Sequence, residues 1–146
     1  YMIPDTPVSV GSGIFLVEET SSLSAEEDAF IEELFGSVGK YMRLSLEAMG
    51  PANALAGCGP AFIAMVIEAL GDAGVKYGLT RQQAYELASG VMEGTAKLQQ
   101  ETGLHPGVLK DQVCSPGGVT IRGVAALEEA GMRNAFFKAV DATFLK

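Results

Sequence analysis

The chain has 146 residues, 48% of them hydrophobic and 19% charged, which is enough apolar material for a sizeable core and excludes a disordered tail. Eighteen acidic residues against ten basic ones give a net charge of −8 with no basic cluster, a balance that excludes an electrostatic footprint for DNA or RNA. A single histidine, His105, excludes a histidine-based metal cluster, and no metal site is expected.

Pro4-Asp5-Thr6-Pro7 reads as a rigid turn leading into a strand over 8–18, where β-branched residues mix with Gly11 and Gly13. Ser24 followed by Ala25, Glu26 and Glu27 marks a helix start, with a hydroxyl cap and a glutamate three residues on. Phe30, Ile31, Leu34 and Phe35 give that helix its apolar stripe, and residues 36–39 end it. A second short strand is expected over 40–46. A strand–helix–strand piece of this size is too small to hold a sheet of its own. It has the look of the end of an α/β domain.

From about Glu47 onward the chain reads as helix. One segment covers 47–56, Gly57-Cys58-Gly59 breaks it, and Pro60 sits at the first position of the next helix, 61–77. That helix carries Phe62, Ile63, Met65, Val66, Ile67, Leu70 and Val75 on more than one face. A helix apolar nearly all round is buried all round, which in a chain this short predicts a subunit interface. The uncharged run 52–67 is about a turn short of a membrane span and is broken by glycine and proline, so a buried soluble helix is expected. Glu68 and Asp72 share a face of this helix; without an accompanying acid or base they read as polar contacts near the interface. Gly78 closes the helix and Thr80 caps the next, 81–100, with Ala84, Leu87, Ala88, Val91, Met92, Ala96 and Leu98 facing inward. Gly94 and Ala96 are small enough for close backbone approach. The last helices are expected over 107–113, 120–130 and 133–145. His105 before Pro106 reads as a capping and packing residue, and Lys110-Asp111 as a surface pair. Cys58 and Cys114 read as buried free thiols of a cytosolic protein.

The segment between the two helices that follow His105, Ser115-Pro116-Gly117-Gly118-Val119-Thr120, carries the most chemistry. Proline disfavours the helical region for Ser115, and the paired glycines let a ligand approach the backbone without a Cβ in the way. The following helix opens near Thr120 with unpaired N–H groups and the positive end of its dipole, which suits a carboxylate or phosphate. The hydroxyls of Ser115 and Thr120 frame the loop. The plain alternative is a helix corner with Thr120 as an ordinary N-cap.

Four blocks join into a recognisable pattern: residues 55–62 (Leu55-Ala56-Gly57-Cys58-Gly59-Pro60-Ala61-Phe62), residues 68–75, His105-Pro106 with Leu109-Lys110-Asp111, and residues 115–121. Together they resemble the carboxy-terminal half of pyrroline-5-carboxylate reductases. The resemblance implies a mainly α fold, a helical dimerisation domain of the 6-phosphogluconate-dehydrogenase C-terminal type, preceded by a short strand–helix–strand remnant of a Rossmann-type α/β domain. It implies residues 1–45 as the end of a dinucleotide-binding domain and 46–146 as the dimerisation and substrate-binding domain. The implied activity is reduction of 1-pyrroline-5-carboxylate to L-proline with NADPH or NADH in a cytoplasmic homodimer or a larger assembly of it, with no nucleic-acid or membrane partner.

Carried onto this chain, the resemblance implies Ser115, Gly117, Gly118, Val119 and Thr120 as the substrate site. It implies Thr120 as the catalytic contact to the imine nitrogen, and Pro4, Asp5 and Thr6 as residues that meet the cofactor. Asp5 departs from the family's usual asparagine, adding a charge and removing a donor where the nicotinamide half would lie. Cys58 stands where serine is usual. Gly11-Ser12-Gly13 lacks the later glycine of the Gly-x-Gly-x-x-Gly fingerprint, so the chain alone is expected to dimerise without reducing substrate. The competing expectation is a helical oligomerisation module with no activity of its own.

Overall fold

The computed structural model describes residues 1–144, so the expected helix end at Leu145 lies outside the described residues. By packing, the chain divides into two compact units within one helix, between Met65 and Val66. The first helix after the 45/46 boundary that the resemblance implies packs on the sheet of the first unit.

In the first unit, strands β1 (Met2–Pro4), β2 (Gly13–Glu18) and β3 (Gly39–Leu44) form one sheet in the order β1-β2-β3. β1 runs antiparallel to β2 with Met2 opposite Val17, and β3 runs parallel to β2 from Gly13 opposite Gly39 to Glu18 opposite Leu44. Two expectations are corrected. The piece does hold a sheet, because Met2–Pro4 adds a third strand. The strand expected over 8–18 starts only at Gly13, since Thr6–Val10 turn as a 3-10 helix that Gly11 ends in the left-handed region at φ 72°. Proline at the start of that turn and glycine at its end outweigh the β-branched Val8 and Val10.

Helix α1 (Ala25–Gly36) begins with the expected capping box, Ser24 and Glu27 satisfying each other's backbone N–H groups. Successive strand residues point to opposite faces, so the consecutive burial of Phe15, Leu16 and Val17 requires cover on both. α1 and α2 (Leu46–Ala56) supply it. Phe35 of α1 lies 4.9 Å ring to ring from Phe15, and Arg43 of β3 clips α1 by pairing with Asp28 and Glu32. Phe30 and Leu34, expected in the same apolar stripe, are exposed.

The helices continue with α3 (Gly59–Lys76), α4 (Arg81–Thr102), α5 (Pro106–Gln112), α6 (Val119–Glu129) and α7 (Met132–Ala142). In the second unit, the last part of α3 meets α4 through small residues. A Cβ on Gly71 would lie 2.4 Å from the Tyr85 ring, and one on Gly74 would lie 3.0 Å from the Ala84 Cβ. The close approach therefore occurs at Gly71 and Gly74. Gly94, where it was expected, faces open space. Thr80 caps α4, as the sequence predicts, and the structure adds Gln83 to complete a capping box.

Two burial expectations are not met within the single chain. Of the α4 residues expected inward, Ala84 and Ala88 are buried and Met92 is partly so, whereas Leu87 is 57% and Val91 63% exposed, and Ala96 and Leu98 are exposed too. Leu87, Val91, Gly94 and Leu98 follow one another at four-, three- and four-residue steps on a face adjoining the buried one. The run 46–76 is not a buried helix in this chain either. It is broken between Ala56 and Gly59, and Ile63, Met65 and Leu70 are exposed. By length and composition it is long and apolar enough to cross a membrane. One chain lacks the surface to cover an all-round apolar helix.

Candidate functional site

The turn between α5 and α6 is built by its sequence. α5 is anchored at its start by His105, whose Nδ1 accepts the Gly107 N–H at 3.0 Å, so the capping role expected of this exposed histidine is the one it plays. α5 ends at Gln112, and Pro116 and Gly117 then occupy the corners of a tight turn, Gly117 at φ 68°. The turn is closed by the Gly118 N–H donating to the Ser115 carbonyl at 3.0 Å. Proline at the second position and glycine in the left-handed region at the third is the combination such a turn demands.

α6 then opens at Val119 with Gly118 as its N-cap. Thr120 is the second helical residue, so the plain reading of Thr120 as N-cap is corrected. No side chain caps the helix. The N–H groups of Val119, Thr120 and Ile121 belong to the first turn, which has no partners within a helix, and they carry the positive end of the dipole. The Gly118 N–H is not among them, because it is spent inside the turn. Ser115 Oγ sits 2.4 Å from where a Gly118 Cβ would be, so the hydroxyl occupies space that only glycine leaves free. Ser115, Val119 and Thr120 are all exposed.

The sequence reading passed over Arg122. One turn into α6, its Nε donates to the Gly118 carbonyl at 3.3 Å and brings a guanidinium to the rim of the turn. The four-residue spacing from Gly118 was the available signal. The turn thus combines three helix N–H groups, two hydroxyls and a nearby cation, an arrangement whose chemistry suits a carboxylate and leaves a donor for a second polar atom.

Other singled-out residues fall elsewhere. Asp72 pairs with Arg81, whose guanidinium lies 5.3 Å from the Tyr85 ring centroid, so Glu68 and Asp72 form no carboxylate pair. Lys110 pairs with Asp111 as a surface pair. A cleft of about 320 Å³ is lined by Lys110, Val124, Leu127, Glu128, Met132, Arg133 and Phe136. None of residues 115–120 lines it, and Arg133 is already bound to Glu128 at 2.6 Å, so the turn is the better anion site. Cys58 and Cys114 are free and half-buried.

At the other candidate site, Pro4 and Thr6 are exposed, while Asp5 is partly buried and its Oδ1 accepts the Ile14 N–H at 2.8 Å. A dinucleotide cofactor finds only a partial fit among the described residues. Gly11-Ser12-Gly13 links a 3-10 turn to a strand, not a strand to a helix, so it does not form a pyrophosphate cradle. Pro4 and Thr6 remain open to solvent, so they stay accessible to such a group.

A family model described as pyrroline-5-carboxylate reductase dimerisation matches residues 47–146. Among curated relatives, the pyrroline-5-carboxylate reductase of Treponema pallidum is 47% identical over 141 residues, covering 97% of this chain and 54% of that protein. That of Kluyveromyces lactis is 37% identical over 140 residues, covering 96% of this chain and 49% of that protein. Among solved structures, the Plasmodium falciparum pyrroline carboxylate reductase with NADP bound superposes with a TM-score of 0.90 at 32% identity, covering 97% of this chain and 58% of that one. The chain spans about half the length of the curated relatives it matches.

Proposed function

The chain belongs to the pyrroline-5-carboxylate reductase family through its dimerisation domain, and we propose that the full-length protein reduces 1-pyrroline-5-carboxylate to L-proline as a homodimer. The observation that carries this reading is the uncapped start of α6, presented by the Pro116–Gly117 turn with Ser115 and Thr120 beside it. The N–H groups at Val119 and Ile121, with the Ser115 hydroxyl, hold the substrate carboxylate; Gly117 and Gly118 shape the approach. The Thr120 hydroxyl donates to the ring nitrogen and holds the C=N bond in one orientation; as hydride reaches the carbon, the nitrogen takes up a proton from solvent, with the hydroxyl as donor or relay. A nicotinamide cofactor, NADPH or NADH, supplies the hydride when bound. Pro4, Asp5 and Thr6 belong to its nicotinamide end. The NADP in the Plasmodium falciparum relative supports this cofactor class.

A second copy of the chain covers the exposed apolar faces of α3 and α4. Support comes from the family description, dimerisation, and from the matched residues 47–146, which include nearly all of the apolar run 46–76. The run is interrupted at Gly57-Cys58, which suits a protein partner better than lipid. The protein is then a cytoplasmic dimer with no membrane partner. An inactive oligomerisation module would have no use for a helix start left uncapped between two hydroxyls.

Thr120→Ala in the full-length protein tests the site. Loss of one hydrogen bond to a charged or charging group lowers turnover roughly tenfold to hundredfold, with the dimer intact by sedimentation. Wild-type turnover would remove Thr120 from the mechanism.

A further inference from the structure

The carboxylate of Asp5 is turned back into its own loop. Its Oδ1 accepts the Ile14 N–H at 2.8 Å while its own N–H donates to the Ile14 carbonyl at 3.2 Å, so the two residues are joined in both directions. The Gly11 and Ser12 N–H groups return to the Val8 and Pro7 carbonyls at 3.0 and 3.2 Å. Gly13 completes the closure: a Cβ there would lie 2.1 Å from Val8 Cγ2, 2.5 Å from the Val8 nitrogen and 2.7 Å from Asp5 Oδ1. Two of these atoms are a backbone nitrogen and the clasping oxygen itself, so no larger residue fits without opening the loop.

We infer that Asp5 is a positioning residue, which fixes the backbone of Pro4–Thr6 through Ile14, and does not bind the cofactor through its carboxylate. The inference rests on the proposal that Pro4–Thr6 belong to the nicotinamide end. An asparagine would serve in the place of Asp5, because both side chains set an accepting oxygen at the same distance from the backbone. The loop needs the acceptor; the charge is incidental to it.

The test compares Asp5→Asn, Asp5→Ala and Gly13→Ala in the full-length protein. Amide exchange at Ile14 is measured without cofactor, and NADPH and NADH are titrated by the fluorescence of the reduced nicotinamide. Asp5→Asn is expected to keep Ile14 protected and both dissociation constants within about threefold of wild type, or tighter. Asp5→Ala and Gly13→Ala are expected to expose Ile14 and to weaken cofactor binding at least about tenfold, the effect of losing or displacing one hydrogen bond to a charged acceptor. Wild-type cofactor binding by Asp5→Ala overturns the inference, as does a folded Asp5→Asn that binds as weakly as Asp5→Ala. The Asp5→Asn result decides even if Asp5→Ala does not fold. Wild-type protein that binds neither cofactor overturns the nicotinamide-end proposal, and this role with it.

Discussion

Strand β2 and helix α4 bury their side chains by opposite means. β2 has six residues, and three in succession are buried, with Leu16 only 2% exposed. α4 has 22 residues and buries only Ala84 and Ala88, both small, while Leu87, Val91 and Leu98 lie open. The strand lies in a unit that covers both its faces, through α1 and α2. The helix meets its chain neighbour closely, through Gly71 and Gly74, along one narrow face and keeps a second apolar face uncovered. Burial thus separates what this chain covers by itself from what it leaves open. On the proposed dimer, Phe15, Leu16 and Val17 are stability residues, and Leu87, Val91 and Leu98 are assembly residues.

The largest effect is expected where burial is complete. Leu16→Ala removes the most enclosed large side chain and should cost roughly 2–5 kcal/mol in urea denaturation of the full-length protein, without changing the dimer dissociation constant once folded. If the variant instead lost less than about 1 kcal/mol, the first unit would not be self-sufficient. Leu87→Arg together with Val91→Arg should do the reverse. Desolvating unpaired charges should raise the dimer dissociation constant roughly a hundredfold, near 3 kcal/mol, in sedimentation, while the monomer stays folded. An unchanged dimer would place the partner on another face.

Gly71→Ala sharpens the comparison inside the helical unit. The new methyl meets the Tyr85 ring, which also seats Arg81, so overpacking of about 1–3 kcal/mol is expected in denaturation. The smallest effect is expected at the α1 cap, where Ser24→Ala should cost about 1 kcal/mol. The same cap is pH-sensitive. The Ser24 backbone N–H and hydroxyl hold the Glu27 carboxyl below the usual glutamate value. A depressed value in the folded state means its contribution is complete above the ordinary range, about pH 4.3, and fades as pH falls through the lower folded value. Glu27→Gln should flatten that acid limb in a pH series of melting temperatures.

Much of this was legible in the residues themselves. The capping box at Ser24, the caps at Thr80 and His105 and the Ser115–Gly118 turn rest on contacts within four residues, where side-chain type and spacing decide the outcome. The family pattern in residues 55–62, 68–75 and 115–121 was equally local. Other features were not readable. The strand β1 exists because Met2 and Pro4 find Val17 and Phe15 far along the chain, a pairing no local pattern announces. Which α4 residues are covered depends on where Gly71 and Gly74 bring α3, so periodicity identified an amphipathic helix but chose too wide a face. The Asp5 oxygen bound to Ile14 and the Gly118 N–H bound within its turn changed the roles of both residues.

By itself, then, the sequence determined the helix starts and stops, the turn chemistry around Pro116 and Gly117, and the family, since each depends on near neighbours and residue identity. Only the tertiary structure decided which apolar faces are covered, which polar atoms at the site are already committed, and how Asp5 is used. Those depend on atoms brought together from distant positions, and burial and hydrogen bonding count partners in space, not in sequence.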